Sequence, residues 1–297
     1  MRQKSMTDAE IDSYGLEEIG WNRVPQDIVD KSVSDLVRLD GKKAIVTGAG
    51  GVGLGKATAG RLVAQGAEVV LMGHSSLEKT QKNADDIAKK WNGKTHAVVA
   101  ELTDYADAER AFKEAVDKLG GRLDILVNNA VGMKSKAFDK MTAEEIQFTV
   151  NGTFASVAIC CRVACDYMIP QGEGRIINIS SEAARSHHPA MSLYSAAKAG
   201  VMGLTRTLSG ELYGFGIVVN GVAAGVMLHE HLRHMFEHKD PNKRYVREAM
   251  IKSCSEVIAN RPSLPDEVAN MVAYLSSPAA SYIVGQNIMH GGGLVVL

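Results

Sequence analysis

Short runs rich in valine and isoleucine alternate, from Lys43 onward, with longer segments of helical period. In segments such as GKATAGRLVAQ and ADAERAFKEAVDKL, apolar residues recur at i, i+3, i+4 and i+7, so each helix has one face to bury against a sheet. This pattern is typical of βαβ units and predicts an α/β fold, a doubly wound parallel sheet of seven strands in a single domain. The predicted strands are KAIVT (43–47), EVVLM (68–72), THAVVA (95–100), LDILVNN (123–129), RIINIS (175–180), IVVNGV (217–222) and QNIMH (286–290).

Two segments depart from the alternation. Residues 1–38 are polar and acidic with scattered apolar side chains, so we expect an N-terminal extension or arm, followed by the α/β domain over residues 39–297. The segment at about 226–262 is longer than a simple connection and mixes methionine, leucine and phenylalanine with basic residues. It predicts a mobile lid of short helices.

Charge and hydropathy exclude several classes of partner. The formal net charge is -1, which provides no basic excess for nucleic acid or an anionic membrane. We see no run of the about 18 apolar residues that span a bilayer, and no apolar block of a signal peptide, so we expect a cytoplasmic protein. Cys160, Cys161 and Cys165 lie within six residues of each other and Cys254 stands alone, which favours reduced thiols over disulfides.

A glycine-rich stretch, TGAGGVGLGKATA, follows the first predicted strand and opens the first helix. Glycine permits a tight turn and a close approach of the backbone to a pyrophosphate, whose oxygens helix N-terminal amides can bind. In this context the stretch indicates a dinucleotide site, with a plain strand-to-helix turn as the alternative. Two registers overlap: Gly48, Gly50 and Gly53 fit G-x-G-x-x-G, whereas Gly51, Gly53 and Gly55 fit a narrower spacing.

Tyr194 and Lys198 lie four residues apart, on one face of a predicted helix, and Ser181 lies thirteen residues before the tyrosine. A tyrosine with its ordinary pKa near ~10 is a poor acid or base at neutral pH, so a neighbouring cation is needed to stabilise the phenolate. Lys198 is the candidate cation. For the tyrosine–lysine pair alone, an amphipathic helix with a solvated lysine is the alternative.

Four further motifs follow the glycine loop: LVNNAVG (126–132), INISS (177–181), YSAAK (194–198) and VVNGVAAG (218–225). In this order and spacing the five motifs resemble the short-chain dehydrogenase/reductase family, from about Leu39 to Gly293. The resemblance implies a Rossmann-like fold and an NAD(P)-dependent oxidoreductase that interconverts a secondary alcohol and a ketone by hydride transfer.

The resemblance also implies a catalytic tetrad of Asn151, Ser181, Tyr194 and Lys198. Tyr194 would exchange a proton with the substrate oxygen, and Ser181 would hydrogen-bond that oxygen. Lys198 would lower the pKa of Tyr194 and hold the nicotinamide ribose, while Asn151 would position a proton-relay water.

Cofactor choice depends on the end of the second strand, where NAD-binding members of the family carry an acid. Here that position is Gly73, so no carboxylate repels a 2′-phosphate, and His74 and Ser75 offer donors to it. We therefore expect NADP(H) to be favoured, with NAD(H) possible, and an acid introduced at Gly73 to shift the preference towards NAD(H). The expected cofactor contacts are Gly48, Gly51, Gly53, Leu54, Gly55, His74, Ser75, Glu101, Leu102, Asn129, Ala130, Tyr194, Lys198 and Gly225.

The chain departs from the family pattern at several positions. The glycine loop is one residue longer than T-G-x-x-x-G-x-G, and we expect the extra residue to bulge while Gly53 and Gly55 keep the family's roles. Ala224 replaces the usual proline before Gly225, and His229 replaces a threonine that binds the nicotinamide carboxamide. Glu101 stands where the family has aspartate, and the segment at 128–132 is also one residue longer.

The substrate is expected to be a medium or large hydrophobic ketone or alcohol, cyclic, aromatic or acyl, because the lid residues are adaptable and apolar. His187, His188, Met227 and Leu228 are the expected pocket residues. A ketoacyl-thioester reductase competes with a reductase of bulky cyclic or aromatic ketones. A non-catalytic dinucleotide-binding regulator or scaffold is the alternative outside the enzymes.

Two expectations concern assembly and metal. The resemblance implies a homo-oligomer, tetramer or dimer, paired through helices at about 142–168 and 192–213. The segment HEHLRH has Arg233 where the zinc motif H-E-x-x-H needs its second histidine, so no metal site is expected.

Overall fold

A computed structural model describes Ser13, Gly15, Ile28 and residues 30–238 and 244–295. Contacts divide the chain into two compact units, Met1–Leu36 and Val37–Leu297. In the first unit the structure describes one short helix, α1 (Val33–Leu36). Most of the predicted extension over residues 1–38 therefore lies outside the described residues.

The second unit contains a sheet of seven parallel strands. Their bounds are β1 (Lys43–Thr47), β2 (Glu68–Gly73), β3 (Thr95–Val99), β4 (Ile125–Asn128), β5 (Gly174–Ser181), β6 (Ile217–Ala224) and β7 (Asn287–His290). The strand order is β3-β2-β1-β4-β5-β6-β7. The predicted fold class is confirmed, and each predicted run contains or overlaps one strand. The order reverses between β1 and β4, the place where open α/β sheets bind their ligands.

Helices cover both faces of the sheet. Their bounds are α2 (Leu54–Ala64), α3 (Leu77–Trp91), α4 (Tyr105–Lys118), α5 (Ala143–Val150), α6 (Ser156–Gln171), α7 (Ser192–Leu212), α8 (Glu230–Glu237), α9 (Arg244–Glu256) and α10 (Pro265–Leu275). Helices α2, α3 and α10 form one buried core, and α4, α6 and α7 form the other. Because both faces are covered, β1 from its second residue and the whole of β6 are continuously buried rather than alternately buried and exposed.

Side chains cap several helices, and α2 differs from them. Ser76, Asp104 and Thr142 each accept a hydrogen bond from an amide in the first turn of α3, α4 and α5 respectively. The residue before α2 is Gly53, which provides no side-chain cap, and the first turn of α2 contains no acidic residue. The positive end of this helix dipole is therefore directed at the glycine loop without a competing carboxylate.

A π-helical turn, Asn151–Ala155, joins α5 to α6, so the helical run Ala143–Gln171 is continuous. By length and composition alone this run could cross a membrane, but half of its most apolar stretch is buried inside the protein. Cys160 and Cys161 lie in that buried part, and burial raises the pKa of both thiols. The run is a core helix of the α/β domain.

The predicted lid contains α8 and α9, and residues 239–243 between them are outside the described part. Its two ends are joined by a bridge between Met227 and Ser263. The Leu228 amide donates to the Ser263 carbonyl at 2.9 Å, and the Ser263 amide donates to Val226 at 2.9 Å. The two ends of the predicted lid are therefore held next to each other.

Candidate active site

The glycine loop connects β1 to α2. Gly48 has a φ of +67°, and a Cβ there would lie 2.8 Å from the Cα of Ala130, so a side chain is excluded. A Cβ at Gly55 would overlap the carbonyl oxygen of Gly48. At Gly51 and Gly53 a Cβ would meet no atom of the described residues within 4 Å. Gly48 and Gly55 thus serve packing within the protein, while Gly51 and Gly53 border open space at the N-terminus of α2.

Two loops meet at the switch point between β1 and β4. The Thr47 hydroxyl accepts hydrogen bonds from the amides of Asn129 at 2.9 Å and Ala130 at 3.0 Å. The Asn129 side-chain amide donates back to the carbonyls of Thr47 at 2.9 Å and Gly48 at 3.3 Å. These reciprocal bonds fix the floor of the cleft despite the extra residue in each loop.

Helix α3 holds the glycine loop from behind, a role that the sequence reasoning missed. The amide of Asn83, which is 7% exposed, donates to the carbonyls of Ala49 at 3.3 Å and Gly51 at 3.1 Å. Thr80, one turn earlier, contacts Gly50. A signal was present, because both polar residues lie on the same face of α3 as the buried Ala84 and Ile87.

The predicted catalytic residues come from two adjoining elements. Ser181 ends β5, and Tyr194 and Lys198 lie one turn apart on α7. The Lys198 Nζ donates to the Ile179 carbonyl at 2.6 Å and lies 5.8 Å from the centre of the Tyr194 ring. Ser180 donates its hydroxyl to the Lys198 carbonyl at 2.9 Å, which ties α7 to β5. The arrangement places a phenol, a hydroxyl and an amine around one site.

Burial controls the protonation of this group. It lowers the pKa of Lys198 from 10.5 to about 8. It also raises the pKa of Tyr194, and the hydrogen bond with Ser181 offsets part of that rise. Desolvation of the phenolate thus outweighs the other influences on the pKa of Tyr194, and Lys198 donates to the Ile179 carbonyl. The expected lowering of the pKa of Tyr194 by Lys198 stays a prediction.

Two adjoining cavities run along the carboxyl ends of the strands and share Gly48, Ala130 and Val131 in their walls. The first, of about 350 Å³, contains the catalytic group and the loop glycines; its predicted members are Gly51, Gly53, Leu54, Gly55, Asn129, Ser181, Tyr194, Lys198, Gly225 and Met227. The second, of about 290 Å³, contains Gly73, His74, Glu101, Leu102 and Asn151. Together they form one elongated cleft across the switch point.

Four predicted residues lie elsewhere. Ser75, His187 and His188 line neither of the two cavities, and the His188 ring shares a hydrogen bond of 3.0 Å with Ser186. Leu228 lines a third cavity, of about 730 Å³, bordered by α2, α3 and α8. The structure thus brings Met227, but not its neighbour in the chain, to the catalytic group.

Asn151 begins the π-helical turn and lines the second cavity. The turn packs tightly, since the Gly132 amide donates to the Gly152 carbonyl at 3.0 Å and a Cβ at Gly152 would lie 2.8 Å from the Cα of Gly132. Single π turns inside α-helices are common at functional sites. Asn151 thus lines the second cavity, and the other three predicted catalytic residues line the first.

The end of β2 contains the predicted ribose-binding residues. The His74 ring lies 2.9 Å from the Glu101 carboxylate, and hydrogen bonds from Thr103 and then His74 hold the pKa of Glu101 below its usual range. A Cβ at Gly73 would overlap Thr80 Oγ1. An acid at Gly73 therefore needs Thr80, on the buried face of α3, to move, and the expected shift towards NAD(H) stays a prediction.

Comparisons with known proteins agree with this geometry. Residues 42–240 match the family model described as short chain dehydrogenase. The chain is 34% identical over 263 residues to a 3-oxoacyl-acyl-carrier-protein reductase of Thermotoga maritima, covering 88% of this chain and 100% of that protein. It is 33% identical over 259 residues to 1,6-dihydroxycyclohexa-2,4-diene-1-carboxylate dehydrogenase of Pseudomonas putida, covering 86% and 93%.

Solved structures show the same likeness. A 7α-hydroxysteroid dehydrogenase in complex with NADH and 7-oxo glycochenodeoxycholic acid superposes with a TM-score of 0.79 at 30% identity, over 89% of this chain and 98% of that chain. A gluconate 5-dehydrogenase of Burkholderia cenocepacia in complex with NADP and tartrate gives a TM-score of 0.78 at 26% identity, over 89% and 98%.

Proposed function

The chain belongs to the short-chain dehydrogenase/reductase family and is an NAD(P)-dependent oxidoreductase; we propose that it interconverts a medium or large hydrophobic ketone and its secondary alcohol, with NADP(H) as the favoured cofactor. The observation that carries the proposal is that Ser181, Tyr194 and Lys198 share one cavity with the loop glycines. A proton donor and a dinucleotide loop thus face the same space.

The residues at the loop fit a dinucleotide. Gly51 and Gly53 leave room for a pyrophosphate, and the uncapped first turn of α2 offers amide donors to its oxygens. On the ribose side, Gly73 presents no carboxylate, and His74, which lines the same cavity, would donate a hydrogen bond to a 2′-phosphate. The neighbouring Glu101 makes the preference for NADP(H) modest, because its negative charge opposes a phosphate.

The proposed chemistry is a proton transfer coupled to hydride transfer. The bound nicotinamide supplies or accepts the hydride. In the reductive direction, Tyr194 donates its phenolic proton to the substrate oxygen while Ser181 donates a hydrogen bond to the same oxygen. The substrate oxygen becomes the hydroxyl of the alcohol, and Tyr194 becomes a phenolate. The Lys198 ammonium stabilises this phenolate. With a pKa of about 8, Lys198 is mostly charged at neutral pH.

Apolar side chains around the cleft support a hydrophobic substrate. Met227 lines the catalytic cavity, Phe148 lines the adjoining one, and Val131, which is 52% exposed, lies in the wall they share. By their names, three of the similar proteins act on acyl or cyclic compounds, which supports a ketoacyl-thioester reductase and a reductase of cyclic ketones as candidates, whereas the gluconate 5-dehydrogenase acts on a sugar acid. Initial rates with acyl-thioester, steroid, terpenoid and aromatic ketones separate the two.

Tyr194→Phe tests the proposed role of the phenol. It should lower kcat by roughly a hundredfold or more, because the proton donor is removed, and should leave the Kd for NADPH within a few-fold. Tyr282→Phe, at a position that is 96% exposed, is the matched control and should retain full activity. Retention of a tenth of kcat in Tyr194→Phe would show that another group transfers the proton. NADPH binding without turnover of any ketone by the unmodified protein would favour a regulator or scaffold.

We also propose a cytoplasmic homo-oligomer, a tetramer or dimer, whose partner is a small-molecule ketone or alcohol rather than nucleic acid or a membrane. Exposed Phe148 on α5 supports pairing through the helical run Ala143–Gln171 and α7, because its side chain is 49% exposed.

A further inference from the structure

Thr80 is a buried polar side chain in the first turn of α3, and it is 1% exposed. Its hydroxyl donates to the Ser76 carbonyl at 2.7 Å, a bond to the preceding turn of the same helix. The side chain is also β-branched, which restricts rotation about χ1. Bond and branching together hold Thr80 Oγ1 in one position.

Two glycines of the cofactor cleft lie against this oxygen. A Cβ at Gly50 would lie 2.6 Å from Thr80 Oγ1, and a Cβ at Gly73 would overlap it. Neither glycine has a positive φ, so the backbone at both positions is open to any L residue. The Thr80 side chain, and not backbone conformation, is therefore the main obstacle to a side chain at position 73.

Position 73 is where the ribose end of the cofactor would be discriminated. Gly73 ends β2 and lines the second cavity beside His74. A carboxylate at the end of the second strand accepts hydrogen bonds from ribose hydroxyls and repels a 2′-phosphate. Whatever excludes a side chain here also excludes that carboxylate.

We propose that Thr80 is a specificity-determining residue, which disfavours NAD(H) by reserving position 73 for glycine. The inference rests on the proposed dinucleotide function, since it assigns a wall of that site to α3. Without Oγ1 and Cγ2, the nearest Thr80 atom to a Cβ at position 73 is its own Cβ, at 3.3 Å. This is a tight contact that a small shift relieves, so Thr80→Ala should make room for a side chain.

A stability cycle tests the steric part without any cofactor. Gly73→Ala should lower the Tm of the whole protein by about 5 °C, because it overpacks a rigid contact. In a Thr80→Ala background the same change should cost less than about 2 °C. Thr80→Val is the matched control: it keeps the shape of threonine, so Gly73→Ala should remain costly there. Equal losses of Tm in the Thr80→Ala and unmodified backgrounds would overturn the proposal.

Steady-state kinetics test the specificity part. Relative to Thr80→Ala alone, the double variant with Gly73→Asp should raise the ratio of kcat/KM for NADH over NADPH at least tenfold. Gly73→Asp alone should lower the yield of folded protein or its Tm, and it should leave the ratio of kcat/KM for NADH over NADPH nearly unchanged. An equal shift by Gly73→Asp alone rejects the role of Thr80. If the Tm values of Thr80 and Gly73 variants are coupled but the double variant shows no change in the NADH/NADPH ratio, the role of Thr80 in specificity is also rejected. Absence of turnover with either cofactor in the unmodified protein rejects the proposed function itself.

Discussion

Lys198→Met should stabilise the protein at pH 7 while abolishing turnover. The lysine is 2% exposed, and burial lowers its pKa from 10.5 to about 8. At ~1.36 kcal/mol per pKa unit, that lowering corresponds to roughly 3 kcal/mol of destabilisation at pH 7, compared with a group that carries no charge. Methionine fills similar space without a charge to desolvate. The lost hydrogen bond to the Ile179 carbonyl offsets ~1 kcal/mol of the gain.

The pH dependence separates this charge effect from simple packing. Because the folded-state pKa of Lys198 lies below the unfolded one, the unfolded chain binds more protons, and stability rises with pH between about 8 and 10.5. The wild-type protein therefore regains stability over this window, while Lys198→Met does not. The stability advantage of Lys198→Met over wild type should be greatest below pH 8 and should shrink by roughly 2 to 3 kcal/mol at pH 10.

Urea unfolding of both proteins at pH 7, 8, 9 and 10 measures the difference, at equal protomer concentration because association contributes to stability. Lys89→Met, at an exposed position of α3, is the control and should show no such trend. If the difference in unfolding free energy between wild type and Lys198→Met is the same from pH 7 to 10, burial of the Lys198 charge does not destabilise the protein and the argument is refuted.

Three further outcomes follow from the described contacts. Asn83→Leu removes both hydrogen bonds to the glycine loop, so the KM for NADPH should rise about tenfold with kcat changed less than threefold; initial rates at saturating ketone measure this, and an unchanged KM contradicts it. His74→Asp adds a carboxylate at an exposed ribose-side position without the clash at Gly73, so kcat/KM should shift towards NADH, with His187→Asp as the control. A tenfold preference for NADH in the unmodified enzyme would contradict the NADP(H) assignment. Light scattering should give a dimer or tetramer, and a monomer at all micromolar concentrations rejects the proposed assembly.

The sequence predicted the sheet well because most of its strands are buried on both faces and are therefore rich in valine and isoleucine. It also predicted that Ser181, Tyr194 and Lys198 meet, since helical spacing places Tyr194 and Lys198 on one face of α7 and the family pattern supplies Ser181. These are short-range regularities, or patterns that a family shares.

Long-range contacts were beyond such reasoning. The helical period shows that Asn83 lies on the buried face of α3, but it does not show that its side chain bonds the carbonyls of Ala49 and Gly51. His187 was placed in the pocket because it is near Ser181 in the chain, but nearness in sequence does not set the direction of a loop side chain. Met227 and Leu228 line different cavities because successive side chains of an extended segment point to opposite sides.

The pairing of β1 with β4 affects how the nascent chain folds during synthesis. The Thr47 hydroxyl binds the amides of Asn129 and Ala130, which lie 82 and 83 residues later. At a synthesis rate of roughly 5–20 residues per second, the segment with Asn129 and Ala130 leaves the ribosome roughly 4–16 s after the glycine loop. The first three strands can pair in that interval, but the cleft cannot yet exist. A dinucleotide can therefore stabilise only chains in which both halves of the sheet have met, so cofactor supply should affect how many new chains escape degradation and not how quickly they begin to fold.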